Sequence, residues 1–222
     1  MSQLLLTAAE LAVILELLAG PALALDATAL HDLAVTPAQI AAARQALLDR
    51  GVLVAASQAA DAETGVSAEY ALLLATALAP ERIFILRSES RGQPARQIIY
   101  SRGEDLWVRN MVTPAGAHRF AELVSVSGVV DDMLRESSIA APSTRPAPEA
   151  TAPLVDVLRK ASGLHLLVRG TLPTASALPA DALSWITAAD GVWVVARTGP
   201  AEAAQRTAIV QLRIRLTALL LE

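Results

Sequence analysis

Two stretches of this chain, one central and one near the end, carry the same features in the same order about 82 to 86 positions apart, and a duplication of that kind constrains the architecture before any single motif does. The first stretch holds an apolar helix from Tyr70 to Leu78, then Arg82-Ile83-Phe84-Ile85-Leu86-Arg87, Gln97-Ile98-Ile99-Tyr100-Ser101, Asp105-Leu106-Trp107-Val108-Arg109 and a helix start at Thr113-Pro114-Ala115. The second answers with Leu154 to Ala161, Leu164-His165-Leu166-Leu167-Val168-Arg169, Leu183-Ser184-Trp185-Ile186-Thr187, Gly191-Val192-Trp193-Val194-Val195 and Gly199-Pro200-Ala201. Arg87 thus matches Arg169, Trp107 matches Trp193, and Pro114 matches Pro200. The offset grows where one connecting loop is longer, which is the tolerated place for a length change.

The pattern predicts an α+β fold: an internally duplicated, pseudo-twofold unit with a central antiparallel sheet of about three plus three strands and flanking helices. Gly92-Gln93-Pro94 and Arg102-Gly103-Glu104 are the turns between the strands of the first copy. Two separate three-stranded meanders would each leave open edges, so joining them into one sheet is the preferred arrangement. The closing helices are expected from Pro114 to Arg135, with Phe120, Leu123, Ser127, Val130 and Leu134 on one face and a bend at Ser127-Gly128, and from Pro200 to Leu221, with Arg206, Arg213 and Arg215 left to solvent.

Four segments follow. Residues 1–57 form an N-terminal helical segment with a winged-helix cadence, 68–136 the first repeat, 137–152 a Pro/Ala/Ser linker and 153–222 the second repeat. Within the first, Thr7-Ala8-Ala9-Glu10 has capping-box spacing, Gly20-Pro21 ends the helix it starts, and a short helical turn follows Asp26. Thr36-Pro37-Ala38-Gln39 repeats the start signal ahead of a stripe of Ile40, Ala43, Leu47 and Leu48. Val52 to Ala55 is a short strand or an extended exit, and 57–67 reads as a loop. Leu4 to Leu25 is apolar and Ala22-Leu23-Ala24 mimics a cleavage site, but no basic residue precedes Arg44, and Glu10 and Glu16 interrupt the run. A secretion signal needs a basic start, and a membrane span would strand two carboxylates in hydrocarbon. A helix and a cytoplasmic location are the expectation.

The chain has no cysteine, which removes disulfides, thiol nucleophiles and cysteine-ligated zinc together. His31, His118 and His165 sit at no metal-binding spacing, and Asp131, Asp132 and Glu136 read as a solvated helix end rather than an acid/base pair. Ser125-Val126-Ser127-Gly128 lacks the elbow of a hydrolase nucleophile, and no phosphate-cradling glycine loop occurs. No catalytic residue, cofactor or metal is expected. Hydrophobic residues make up 54% of the chain and charged ones only 18%, too few to cover the surface evenly, which points to a protein partner or a homodimer. The formal net charge of −4 argues against a nucleic-acid partner. Between Ala38 and Asp49 only Gln39, Arg44 and Gln45 could read DNA, so a winged-helix regulator that dimerises through its repeat is the second reading. Arg87, Arg91, Gln93 and Arg96, in and beside the loop 88–96, are the candidate protein contacts, because arginine is enriched at interfaces.

The segments Leu6-Thr7-Ala8-Ala9-Glu10, Leu47-Leu48-Asp49-Arg50-Gly51-Val52-Leu53, Leu78-Ala79-Pro80 and Leu183-Ser184-Trp185-Ile186-Thr187-Ala188-Ala189-Asp190-Gly191-Val192-Trp193 occur in order along the chain. On these residues the chain resembles the EspG family of ESX (type VII) secretion-associated proteins. The resemblance implies a cytoplasmic, non-enzymatic chaperone or adaptor with a pseudo-twofold α+β fold, holding a helical secretion substrate of the PE/PPE type soluble. Family members are typically longer, and the second half here has no counterpart of the first two helices. No family contact residue maps onto this sequence by motif.

Overall fold

The computed structural model describes residues 2–18, 35–55, 64–90, 92–113, 115–139, 150–170, 181–195 and 203–222. In chain order the described elements are β1 (Gln3–Leu6), α1 (Ala8–Leu18), α2 (Pro37–Asp49), β2 (Leu53–Ala55), β3 (Thr64–Val66), α3 (Ala68–Leu78), β4 (Arg82–Ser90), β5 (Gln93–Arg102), β6 (Leu106–Val112) and β7 (His118–Leu123). Then come α4 (Val126–Glu136), β8 (Thr151–Pro153), α5 (Leu154–Leu158), β9 (Ala161–Arg169), β10 (Ala182–Ala188), β11 (Gly191–Val195), β12 (Ala203–Thr207) and α6 (Ile209–Leu221).

Both expected capping boxes form. The Thr7 amide donates to the Glu10 carboxylate at 2.7 Å while the Glu10 amide donates to the Thr7 hydroxyl at 3.2 Å. Thr36 and Gln39 make the same exchange at 2.8 and 3.3 Å, with Pro37 at the first turn. Each box satisfies two donors that a helix start leaves open. Gly20-Pro21 and the turn after Asp26 lie outside the described residues.

The fold is α+β, and its main sheet exceeds three plus three strands: ten strands hydrogen-bond in the order β1-β7-β6-β5-β4-β9-β10-β11-β12-β8. The four unforeseen strands share one origin. The stretch expected as helix from Pro114 holds β7, antiparallel to both β6 and β1, and a helix that starts only at Val126. Ser125 caps that helix, its hydroxyl accepting from Gly128 at 3.1 Å, so the Ser-Gly pair marks a start and not a bend. The stretch expected as helix from Pro200 likewise holds β12, flanked by β11 and β8. Phe120 and Leu123 fit a helical stripe, and alanine favours helix, but the backbone donors of these segments are satisfied by neighbouring strands that local sequence cannot reveal. Thr64–Val66, in the stretch read as a loop, pairs with β2 in a separate two-stranded sheet.

By contacts the chain divides into two units, Met1–Ile83 with Ile99–Leu123, and Phe84–Ile98 with Val124–Glu222. In the first, Leu11, Ile14, Leu47, Leu74, Trp107 and Phe120 are fully buried. The Trp107 indole N–H donates to the Glu104 carbonyl at 2.7 Å, and the Arg82 guanidinium lies over its ring at 5.4 Å. In the second, Trp185 is fully buried and Trp193 nearly so, its N–H donating to the Asp190 carboxylate at 3.0 Å. Arg206 and Arg213, expected in solvent, are both engaged: Arg206 donates to the Asp190 carbonyl and Arg213 pairs with Asp131 of α4. Asp132, expected on a solvated face, is buried and pairs with Arg135 at 3.0 Å.

One face of the strands in this second unit is unusually tight. His165 stacks on Trp185, ring centroids 5.2 Å apart, and its Nε2 lies 3.4 Å from the Thr187 hydroxyl. A β-carbon on Gly163 would stand 2.5 Å from Thr187 Oγ1, 2.8 Å from His165 Nε2 and 3.1 Å from Ser90 Oγ. Only a residue without a side chain lets three strands close here. Replacing Gly163 with Ala should therefore lower the unfolding free energy by about 1 to 3 kcal/mol, the cost of overpacking a filled core, as read from urea unfolding.

Burial also holds the imidazole neutral, pushing the His165 pKa down from 6.5 to about 4, and it lowers His118 in the same direction. In the unfolded chain His165 takes up its proton near pH 6.5, so between that pH and about 4 the unfolded state binds more protons. The stabilisation is complete above pH 6.5 and is lost as the pH falls through this window, by on the order of 3 kcal/mol for His165. Urea titrations from pH 7 to pH 4 should show this slope, and His165→Leu should flatten it.

Candidate functional site

Strand alternation sets the chemistry of the second unit. Along β9, Gly163, His165 and Leu167 turn into the core, while Ser162 and Leu164 are exposed and Leu166 is half-buried. In register beside them on β4, Arg87 pairs with Leu166 and Glu89 with Leu164, and both charged residues are exposed. On the other side β10 brings Ser184 opposite Leu166 and Ile186 opposite Leu164.

Farther along the same face, α5 lies over the sheet. Its Val157 packs with Ile186, Trp193 and Ala204, joined by Leu154, Ala152, Ala161, Ala188 and Val195. Helix α5 ends after five residues and leaves Val155 and Leu158 exposed at 54% and 43%. Where Leu164 and Leu166 stand, this face of β4 and β9 is thus only partly covered and is bordered by an arginine and a glutamate, while Ile85 and Val168 farther along it are buried. Such a surface can hold a protein segment: the leucines supply apolar area and the charges fix orientation.

Of the residues singled out by sequence, Arg87, Gln93 and Arg96 lie on the two strands of one β-hairpin. Arg87 is exposed within β4; Gln93 is exposed at the start of β5; Arg96 is half-buried farther along β5; Arg91 lies outside the described residues. Gly92, at φ 72°, makes the turn. Arg87 maps to the leucine face by its register with Leu166. Glu89, Leu164 and Leu166 were beyond sequence reasoning, although the alternation of Ser162, Leu164 and Leu166 with Gly163, His165 and Leu167 is their signal.

Other constellations do not assemble into a reactive site. His165 meets Thr187, but that hydroxyl also points at the Gly163 carbonyl at 3.4 Å, and the imidazole itself is buried against Trp185. His118 Nδ1 lies 3.1 Å from the buried Asn110 amide nitrogen. Among the described residues no trio of His, Asp or Glu converges as metal ligands. The winged-helix cadence has a counterpart in α1, α2 and the β2–β3 hairpin, yet each potential base reader already has a hydrogen-bond partner within the chain. Gln39 closes the capping box, Arg44 pairs with Glu16 at 3.2 Å, and Gln45 donates to Asp49 at 2.8 Å. A groove of about 620 Å³ between α1 and α2, lined by Ala12, Ile40, Ala41 and Leu48, is edged by that Arg44–Glu16 pair. No described helix is long and apolar enough to cross a membrane.

No family model matches the sequence, and no curated protein matches it by sequence. The structure, however, is similar to the Mycobacterium tuberculosis type VII secretion system chaperone EspG5, solved in complex with the PE25-PPE41 dimer. The TM-score is 0.63 over 99% of this chain and 96% of that one, at 10% sequence identity. At that identity the likeness establishes one thing: this chain has an EspG-like fold.

Proposed function

We propose that this protein is a non-enzymatic chaperone or adaptor that binds a helical protein partner, a secretion substrate, and keeps it soluble in the cytoplasm. The observation that carries the reading is the outward face of β4 and β9, where the exposed Leu164 and the half-buried Leu166 stand in register beside the exposed Arg87 and Glu89. Apolar area set among charged neighbours gains from being covered, and the charges can orient what covers it. The fold adds support, since the structurally similar EspG5 was solved holding a protein dimer. The β4–β5 hairpin, with Arg87, Arg91, Gln93 and Arg96, is the proposed polar rim of the contact.

We also infer that the chain is an internal duplication about an approximate twofold through β4 and β9. Ile85 pairs with Val168 and Leu86 with Leu167, and a sequence offset of about 82 exchanges these two pairs. Trp107 pairs with Leu123 as Trp193 pairs with Arg206, each tryptophan donating to the residue three positions before it. The proposed segments, 68–136 and 153–222 joined by the linker 137–152, follow from that correspondence.

The test is capture of the tagged protein from its host's cytoplasm, with mass spectrometry of co-eluting chains and light scattering of the complex. A stoichiometric helical partner is expected, retained at least tenfold less by Leu164→Asp or Arg87→Glu while the unfolding midpoint stays within a few degrees of the parent. Failure to recover a partner, or recovery that both variants leave intact, would overturn the reading. A DNA duplex bound with steep salt dependence would instead move the assignment to the N-terminal helices.

A further inference from the structure

The outer strand β1 carries a guarded edge. Among the described residues its only neighbour in the sheet is β7. The Glu122 amide donates to the Ser2 carbonyl at 3.1 Å, so by the antiparallel alternation Ser2, Leu4 and Leu6 turn their backbone groups toward β7, while Gln3 and Leu5 turn theirs outward. Outward N–H and C=O groups on an edge strand are a template for another strand.

That template is self-complementary. Two copies of β1 placed antiparallel about Leu4 would set Gln3 of one opposite Leu5 of the other, both in the hydrogen-bonding position, with the two Leu5 side chains, each 48% exposed, diagonal to one another across the new seam. Half of the backbone bonds in such a pair would land on the Leu5 carbonyl. In this protein that oxygen is taken: Arg50, at the end of α2, donates to it at 2.6 Å through Nη2 and reaches the Glu10 carboxylate at 2.6 Å through Nη1. Glu10 is buried and fixed by the Thr7 capping box, so the guanidinium is held from behind.

We propose that β1 is a latent self-pairing edge and that Arg50, anchored on Glu10, keeps it closed to the β1 strand of a second copy. The opposite edge strand, β8, is closed by other means, being three residues long and ending at Pro153, which has no N–H to offer. The proposal is independent of the chaperone reading, because no residue of the β4–β9 face takes part.

Three versions of the full chain test it: the parent, Arg50→Ala, and Arg50→Ala combined with Leu5→Pro, which removes an outward N–H without removing a bond to β7. Light scattering over a concentration series gives the mass, and hydrogen exchange gives the protection of the Gln3 and Leu5 amides. Arg50→Ala should shift the mass toward twice the parent's and slow exchange at both amides, and the added proline should reverse the mass shift. An Arg50→Ala protein with the parent's mass and the parent's exchange at Gln3 would overturn the proposal, as would a dimer that survives Leu5→Pro. Should Arg50→Ala fail to fold, Arg50→Lys keeps a cation for Glu10 but cannot span both acceptors. It should show the same rise in mass and the same slowed exchange, and a lysine variant matching the parent in both would overturn the proposal equally.

Discussion

The antiparallel pairing of β4 with β9 is the contact on which the remaining order depends. It joins Phe84–Ser90 to Gly163–Arg169 in seven consecutive register pairs, closing a long stretch of chain at an entropic cost that rises only slowly with loop length. Leu86, Leu167 and Val168 sit fully buried at its centre, so the apolar gain is concentrated where the two distant segments meet. From that pair the sheet grows outward through consecutive strands, β4 to β7 on one side and β9 to β12 on the other, while β1 and β8 join it from far along the chain. A register slip of one residue would turn His165 and Leu167 out to water and Leu164 into the core. Gly163 forbids such a slip sterically, since the position beneath Thr187 admits no side chain.

The same alternation separates structure from function along a single strand. Odd-numbered positions of β9 from 163 to 167 are committed to packing, while Ser162 and Leu164 face outward. Helix α5 shows what happens when that outward face is satisfied from within the chain: Val157 closes over Ile186 and Trp193, and the sheet beneath it becomes core. It does so with five residues, reaching Ala161 at the start of β9 but leaving Leu164 exposed. The part of the face it leaves, beside Arg87 and Glu89, keeps apolar area available for a contact.

Elements whose signals are local were legible from sequence. Thr7 with Glu10 and Thr36 with Gln39 announce helix starts because a side chain and a backbone amide three residues away settle the matter between themselves. The tryptophan strands and their turns, Gly92 and Gly103 at positive φ, were equally plain. What local sequence could not show was β1, β7, β8 and β12, which are strands because of the strands beside them. Ala203-Ala204-Gln205-Arg206-Thr207 has no intrinsic reason to be extended, and becomes so between β11 and β8. The candidate site divides the same way: Arg87 stood out by residue type, whereas Leu164 and Leu166 needed the register of β4 against β9 to become a surface.

The pairing of β1 with β7 carries a consequence for the order of synthesis. Gln3–Leu6 leaves the ribosome ahead of its partner His118–Ala121, which follows about 115 residues later, on the order of ten seconds at ordinary elongation rates. Arg50 and Glu10 emerge well before that partner does. For the later part of that interval Arg50 and Glu10, the groups that hold the Leu5 carbonyl in the finished protein, are present while the strand's neighbour is not. The contact that caps the finished sheet is thus also available to chaperone the nascent strand until its true neighbour arrives.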